Sequence, residues 1–387
     1  MTDPHVYIVG GGPAGLATAI ALRQQGFRVT VADCAVPPID KACGEGLLPD
    51  TVQTLSVLGI SIPETSCFPF RGIRFSHANA SVAADFPNGV GLGVRRTILH
   101  TLLLRRAEAL GASFIWNSKH LALTANGLSV NGEALPADFV VGADGQISRI
   151  RHQAGLHRTR TQSIRYAFRR HYRIRPWSPY VELCWGPKSQ IYVTPVSANE
   201  VGVALTSCDS KLRLDEALAD FPHVARRLAG AKHVSAERGA LSISRAFARV
   251  SSNNVALIGD ASGSVDAITG EGIGLSFKQA LAFANALRSN TLSRYEAEHR
   301  AICRRSRIMG SLMLTMDCRP TLQHAAITLM ERQPKLLSRL LAFHVGGASM
   351  RGHSFFSLAW FRPSHDEGER RQEQDHERHH PKAVLKA

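Results

Sequence analysis

The sequence predicts an α/β protein: a doubly wound, Rossmann-like sheet that binds a dinucleotide, with an antiparallel sheet inserted into it and a helical C-terminal region. Three observations carry this reading. Residues 6–9 are a β-branched run that leads into the glycine turn Gly10-Gly11-Gly12-Pro13-Ala14-Gly15, a stretch of helical composition ended by Gly26, and a second apolar run closing on Asp33. Twice more, at 138–145 and 254–263, an apolar run ends in a glycine-rich segment. Between these returns, residues 160–207 repeat with the period of two expected of half-buried antiparallel strands.

Length and composition set the outer bounds. A chain of 387 residues accommodates two or three lobes, and 44% hydrophobic with 20% charged residues is ordinary for a globular protein. No stretch approaches the roughly 20 uncharged apolar residues of a spanning helix, and the opening lacks a secretory pattern. Seven cysteines are scattered without any C-x-x-C spacing, so a reducing cytoplasm is expected rather than a disulfide framework or a zinc site. The net charge of +15 comes mainly from 37 arginines against 9 lysines, and nine arginines with no acid lie between Arg149 and Arg175. Such a field attracts phosphate, anionic membrane or nucleic acid. No nucleic-acid module accompanies it. On the alternating strand, Arg165, Arg169 and Arg173 are expected to face solvent, where they could give peripheral contact with an anionic membrane; plain solvation explains the same pattern.

The elements follow in order. The first strand, the glycine turn and the helix near Pro13 place side-chain-free backbone and a positive helix end against a pyrophosphate. Gly10, Gly12, Pro13, Ala14 and Gly15 form that cradle, and Asp33 can accept hydrogen bonds from an adenosine ribose. A 2′-phosphate would meet Asp33 in like charge, so FAD or NAD is expected. Residues 71–77 and 80–86 read as a hairpin, 95–110 as an amphipathic helix ended by Gly111, and Asn126-Gly127 and Asn131-Gly132 as tight turns. A strand at 138–143 follows. Residues 164–174 alternate, with Ile164, Tyr166, Phe168, Tyr172 and Ile174 on one face. Further strands are expected at 180–185, 190–196, 200–206 and 254–259, then a helix at 272–288 and helices over most of 292–348. Beyond about residue 364 the polar, charged composition predicts disorder.

Two later segments carry a resemblance. Residues 142–151, Gly-Ala-Asp-Gly-Gln-Ile-Ser-Arg-Ile-Arg, resemble the G-A-D-G-x-x-S-x-x-R motif of flavoprotein hydroxylases, and Gly259-Asp260-Ala261 resembles their G-D-A motif. With the first loop, the ordered set over residues 5–290 is similar to the p-hydroxybenzoate-hydroxylase-like flavoprotein superfamily. The resemblance implies an extended FAD, with Asp260 beside Gly259 on the ribityl chain, and Asp144 and Gly145 near the pyrophosphate. It also implies an arginine at the start of a helix against FAD: Arg96, with Arg95 close enough to compete. The FAD-binding domain would be discontinuous (1–60, 95–160 and 240–290), with a substrate domain at 61–94 and 161–239, C-terminal helices at 291–363 and a tail at 364–387. A helix opening at Gly270, Gly272 and Ile273 can aim its positive end at the negative charge of reduced flavin. Glu271 within it reads mainly as a first-turn acid.

One further loop bears on the reaction. Cys43-Gly44-Glu45-Gly46-Leu47 and Thr269-Gly270-Glu271-Gly272-Ile273 resemble segments of the geranylgeranyl-reductase-like branch of the superfamily. Cys43 and Gly44 are therefore expected beside the flavin, and Cys43 or Glu45 is the proton donor that double-bond reduction would require. The three-motif set itself favours a monooxygenase that hydroxylates a small apolar or aromatic molecule through a flavin C4a-hydroperoxide, using O₂ and NAD(P)H. The aromatic residues Tyr166, Phe168, Tyr172, Trp185 and Tyr192 suit such a substrate or a plain core. A flavin-binding protein without turnover is the third reading. There is no second G-x-G-x-x-G after a strand, so NAD(P)H would bind only transiently. The W-x-W-x-x-I-P motif of flavin halogenases is missing, and no metal-ligand spacing occurs. The sequence carries no signal of oligomeric state.

Overall fold

The computed structural model describes residues 4–317 and 319–346, without the side chains of residues 160–162. Its frame is a six-stranded sheet in the order Ser251–Ser252, Val255–Leu257, Phe139–Gly142, His5–Val9, Arg28–Ala32, Ser113–Ile115. All neighbours in it are parallel except the first pair. Both faces of a parallel sheet must be covered, and the alternation within each strand meets that need. Val6, Ile8, Val29 and Val31 turn to a core shared with the helices Pro13–Gln24, Arg96–Ala109 and Gly272–Arg288. Tyr7, Val9, Ala32 and Val140 turn the other way, onto Leu128 and Val130 of the meander Leu121–Thr124, Gly127–Val130, Glu133–Pro136. The three glycine-rich segments emerge together because their strands are adjacent in this sheet.

The second sheet is mostly antiparallel. It runs Gly263–Ser264, Arg238–Phe247, Thr159–Arg173, Glu200–Ser207, Ser189–Ser197, Tyr180–Trp185, Gly72–His77, Ala80–Asp85. One face packs Phe168, Tyr172, Ile191, Val203 and Leu205 against the short helices Leu214–Ala217 and Pro222–Leu228. At the apolar end of the other face, Leu183, Trp185 and Phe75 meet the helices Leu292–Met316, Pro320–Arg332 and Pro334–His344.

This sheet corrects one expectation. Arg165 and Arg169 do not face solvent: each is 1% exposed, while Ile164 beside them is 50% exposed. Only Arg173 of the three is exposed. The strand has the expected period but covers both of its faces, and the arginine face is the inward one. Its charge is met by acids distant in sequence: Arg165 pairs with Asp266 at 3.1 Å and lies 3.5 Å from Asp317, and Arg169 reaches Asp40 at 2.5 Å. The membrane contact inferred from this strand loses its basis. The aromatic residues divide likewise, with Phe168 and Tyr172 on the helix-covered face and Trp185 and Tyr192 on the inward one.

The expected tail and the end of the C-terminal region, including His376, His379 and His380, lie outside the described residues. Among the described residues no helix is long and apolar enough to cross a membrane, and no cluster of His, Cys, Asp and Glu could hold a metal ion.

Candidate functional site

The first glycine turn divides its labour. Gly10 is at φ +111°, and a Cβ there would overlap the Ala143 carbonyl of the neighbouring motif. A Cβ on Gly15 would overlap the Gly10 carbonyl, so that glycine sets the close approach of helix to strand. Gly12 is different: nothing lies within 4 Å of its would-be Cβ. This opening lies at the N-cap of the helix Pro13–Gln24, whose first N–H groups lack intrahelical partners. It is the space a pyrophosphate requires. Ala14 lies against Gly259, whose would-be Cβ falls 2.7 Å from that of Ala14, so the first and third motifs touch. Asp33 accepts N–H bonds from Gly11 (2.6 Å) and Ala35 (2.7 Å), which fixes the turn. Its carboxylate has lone pairs left for a ribose. Two residues not anticipated from sequence complete the turn: buried His100, whose Nε2 bonds the Gly11 carbonyl at 2.9 Å, and Trp116, packed on Gly11.

The second and third motifs are tied by a buried arginine. Arg151, 1% exposed, donates to the Ala261 carbonyl (3.1 Å) and to the Gln146 carbonyl (2.8 Å), and stacks over Phe247. Asp144 is spent on local structure. It accepts from Ser148 Oγ at 2.5 Å and from the Arg149 and Ile150 N–H groups, capping the helix Arg149–Gln153. Its neighbour Gly145 is in the left-handed region at φ +79° with open space beside it. Gly259 (φ +64°) donates its N–H to Gln279 at 2.8 Å. Asp260 stays half-buried, 3.6 Å from Lys41. Gly270 and Gly272 both face open space at the start of the helix Gly272–Arg288, and Ile273 packs inward on the first core. Glu271 turns away, 3.4 Å from His344, and burial raises its carboxyl above the usual range.

The two helix-start arginines differ in their partners. Arg95 is held by Glu200 at 2.5 Å. Arg96 Nε is buried without a hydrogen-bond partner among the described residues, so Arg96 is the one free to meet an anionic cofactor. Ahead of it, the loop around Cys43 bridges the two sheets. Lys41 faces Asp260, the Gly44 carbonyl accepts from Thr194 of the antiparallel sheet (2.7 Å), and Cys43 Sγ accepts the Glu45 N–H at 3.4 Å. Glu45 is 3% exposed at φ +58°, and its carboxylate accepts from the Arg96 N–H and from His171 Nε2. Lys41 thus links the Cys43–Gly46 loop to Asp260, Glu45 links it to the Arg96 helix start, and Gly259 against Ala14 links the third motif to the first glycine turn.

The inward wall of the antiparallel sheet grades across its strands. Register places Arg169, Ala204, Tyr192, Leu183 and Phe75 side by side, and His171, Gly202 and Thr194 in the adjacent row. Charge stands at one end, small residues in the middle and apolar bulk at the other. The sequence signal for this wall was the arginine strand itself, whose parity was legible and whose direction was not.

The residues present fit a flavin dinucleotide: an open cradle at Gly12, a half-buried Arg96 whose buried Nε has no hydrogen-bond partner among the described residues, and bare glycines at a helix terminus. A family model described as "FAD binding domain" matches residues 3–305. The chain is 26% identical over 317 residues to a menaquinone reductase of Mycobacterium tuberculosis, covering 75% of this chain and 78% of that protein. It is 29% identical over 333 residues to a putative 2-heptyl-3-hydroxy-4(1H)-quinolone synthase of Rhodococcus erythropolis, covering 78% and 85%. Its fold matches that of 2-methyl-3-hydroxypyridine-5-carboxylic acid oxygenase, with a TM-score of 0.69 at 22% identity over 89% of this chain and 96% of that one.

Proposed function

Since the chain belongs to the FAD-binding domain family, we propose that this FAD-dependent oxidoreductase is a monooxygenase that hydroxylates a planar, largely apolar ring, with NAD(P)H as electron donor. The observation that carries the reading is the wall opposite the cofactor motifs. Half-buried Ala204 puts a small side chain between Tyr192 and Arg169, with Leu183 and Phe75 beyond Tyr192 in the same row, an order that would suit a flat substrate with one polar edge. Gly202 in the next row is covered by the Glu45 carboxylate. The relatives named above carry ring systems in their names, as substrate or as product: a quinone, a quinolone and a pyridine.

Bound FAD supplies two-electron redox chemistry and activation of O₂. The protein's part is to bind and orient. The Gly12 turn and Asp33 would hold the adenosine half of the cofactor, and Arg96 and the Gly272 helix terminus would supply positive potential to a reduced, negatively charged flavin. Lys41 and Thr194 fix the Cys43–Gly46 loop against both sheets, and the apolar end of the wall keeps water from the reacting ring. Oxygen uptake tests the reading. Holoenzyme with NADH or NADPH and a hydroxylated or amino-substituted bicyclic aromatic is expected to consume O₂ and NAD(P)H one to one, faster with the ring present. Equal turnover without O₂ contradicts it.

A second reading is favoured by the menaquinone reductases, which align over three-quarters of the chain, and by the Cys43 and Thr269–Ile273 segments. In it the same site passes hydride to an isoprenoid C=C bond. Anaerobic oxidation of the reduced protein by menaquinone, yielding the chain-saturated quinone, is the outcome that selects it.

A further inference from the structure

Both reaction classes consume one solvent proton with each pair of electrons. Hydroxylation takes substrate, O₂, NAD(P)H and H⁺ to hydroxylated product, NAD(P)⁺ and water; double-bond reduction takes the alkene, NAD(P)H and H⁺ to the alkane and NAD(P)⁺. A site closed to water needs a route for that proton.

We infer that Ser235, His171 and Glu45 form this route, with His171 as the relay that conducts a proton from the half-buried edge of the antiparallel sheet to the Cys43–Gly46 loop. The inference rests on the redox reading above, but not on which of its two reactions holds. His171 is fully buried at 0% exposure and Glu45 nearly so at 3%. His171 Nε2 lies 2.5 Å from Glu45 Oε2, and its Nδ1 lies 2.8 Å from Ser235 Oγ and 3.0 Å from Arg169 Nη1. Ser235 is only half-buried, so the chain opens toward solvent at that end.

The donors fix the tautomer. A guanidinium can only donate, so Nδ1 is the acceptor, and Nε2 carries the hydrogen that it donates to the Glu45 carboxylate. The Ser235 oxygen also accepts the His171 backbone N–H at 3.0 Å, which leaves its own hydrogen to point at Nδ1. A proton passing from Ser235 to Nδ1 while the Nε2 hydrogen passes to Glu45 delivers one proton, and Ser235 is reprotonated by solvent water, which is left as hydroxide. The ring, now carrying its hydrogen on Nδ1 against the Arg169 donor, turns to restore the Nε2–H form before the next proton. Glu45 is held for this by the Arg96 N–H at 2.8 Å, and position 202 lacks the side chain that would crowd the carboxylate.

The surrounding charges keep the chain in place. Arg169 is neutralised by Asp40, which also faces Arg238 at 3.7 Å, and lies 3.9 Å from Glu45. Lys41 turns to Asp260. A purely structural ion cluster would need the Arg169–Asp40 pair and the Arg96 N–H on Glu45; it would not need an imidazole aligned between a hydroxyl open to water and a carboxylate.

The test uses FAD-loaded protein and two half-reactions. Reduction of the flavin by NADH or NADPH transfers hydride and takes up no solvent proton. Reoxidation of the reduced protein by O₂ alone takes one solvent proton for each hydrogen peroxide released, so it reports on the route whether or not any ring is hydroxylated. His171→Gln, which keeps a hydrogen bond but cannot relay, is expected to leave FAD content and hydride transfer within about twofold and to slow reoxidation about tenfold or more. The defect should grow as pH rises from about 6 to 9. Ser235→Ala, at the open end where folding is least at risk, is expected to slow reoxidation about threefold to tenfold with the same pH trend. Reoxidation rates within twofold of the parent at every pH in both variants overturn the relay. Failure of the hydroxylase reading is seen separately, as peroxide without ring oxidation, and leaves this comparison intact.

Discussion

Two glycines of one turn do opposite work, and substitutions distinguish them. Gly12 borders open space at a helix N-terminus, whereas Gly10 sits in the left-handed region against the Ala143 backbone. Gly12→Val is expected to fold with the parent's melting temperature but to lose FAD on gel filtration, because its side chain occupies the cofactor's space. Gly10→Ala is expected to destabilise the apoprotein itself by more than about 1 kcal/mol, from the positive φ and the clash together. A urea titration paired with the flavin absorbance of each variant checks both. Retention of full-strength flavin by Gly12→Val removes the first turn from the binding site.

At the scale of the element, the strand Thr159–Arg173 shows how a charged face becomes a structural one. Arg165 holds Asp266 and donates to Thr206 at 2.6 Å, so the strand is joined to the segment that leads into Thr269–Gly272. Arg165→Met leaves a buried carboxylate without its partner and is expected to cost about 3–5 kcal/mol. Adding Asp266→Asn is expected to recover more than half of that loss, since the fully buried carboxylate is then neutral and only the more exposed Asp317 has lost a cation. Strictly additive costs in a double-mutant cycle contradict the pairing. Arg151 makes the corresponding link between the two later motifs. Arg151→Met is expected to cost about 2–4 kcal/mol, because it abandons the Ala261 and Gln146 carbonyls in the interior.

Across the whole molecule, the helix Leu292–Met316 is docked behind the third motif through a neutral histidine. His299 bonds Ser262 at 2.8 Å, and burial pushes its imidazole down to about 3. The unfolded chain takes up a proton on this residue below about pH 6.5, while the folded one resists until about 3, so the group costs stability progressively as pH falls through that window. Urea midpoints are expected to drop between about pH 7 and 5 in the parent and to drop less in His299→Gln. Equal drops in both contradict that assignment. What the sequence made legible follows from the range of each interaction. The glycine turn, its flanking strands and the helix at 272 are specified by neighbours within thirty residues, and they stand where the pattern puts them. The face of the arginine strand was misjudged because its acids, Asp40, Asp266 and Asp317, come from about a hundred residues or more away. The strand Arg238–Phe247 escaped notice because Ser242, Ser244 and Arg245 break any apolar rhythm. Asp144 reads as a cofactor contact from its motif, and its hydrogen bonds also close a local helix start, a second role that no spacing rule announces.

The proposed hydroxylation requires the wall and the cofactor loops together to direct oxygen into a ring. Its most direct test is a single turnover of the reduced protein with ¹⁸O₂ and a bound bicyclic aromatic, read by mass spectrometry of the product. One labelled oxygen in the product is expected for each flavin oxidised. Unlabelled product, together with anaerobic oxidation of the same reduced protein by menaquinone, contradicts it.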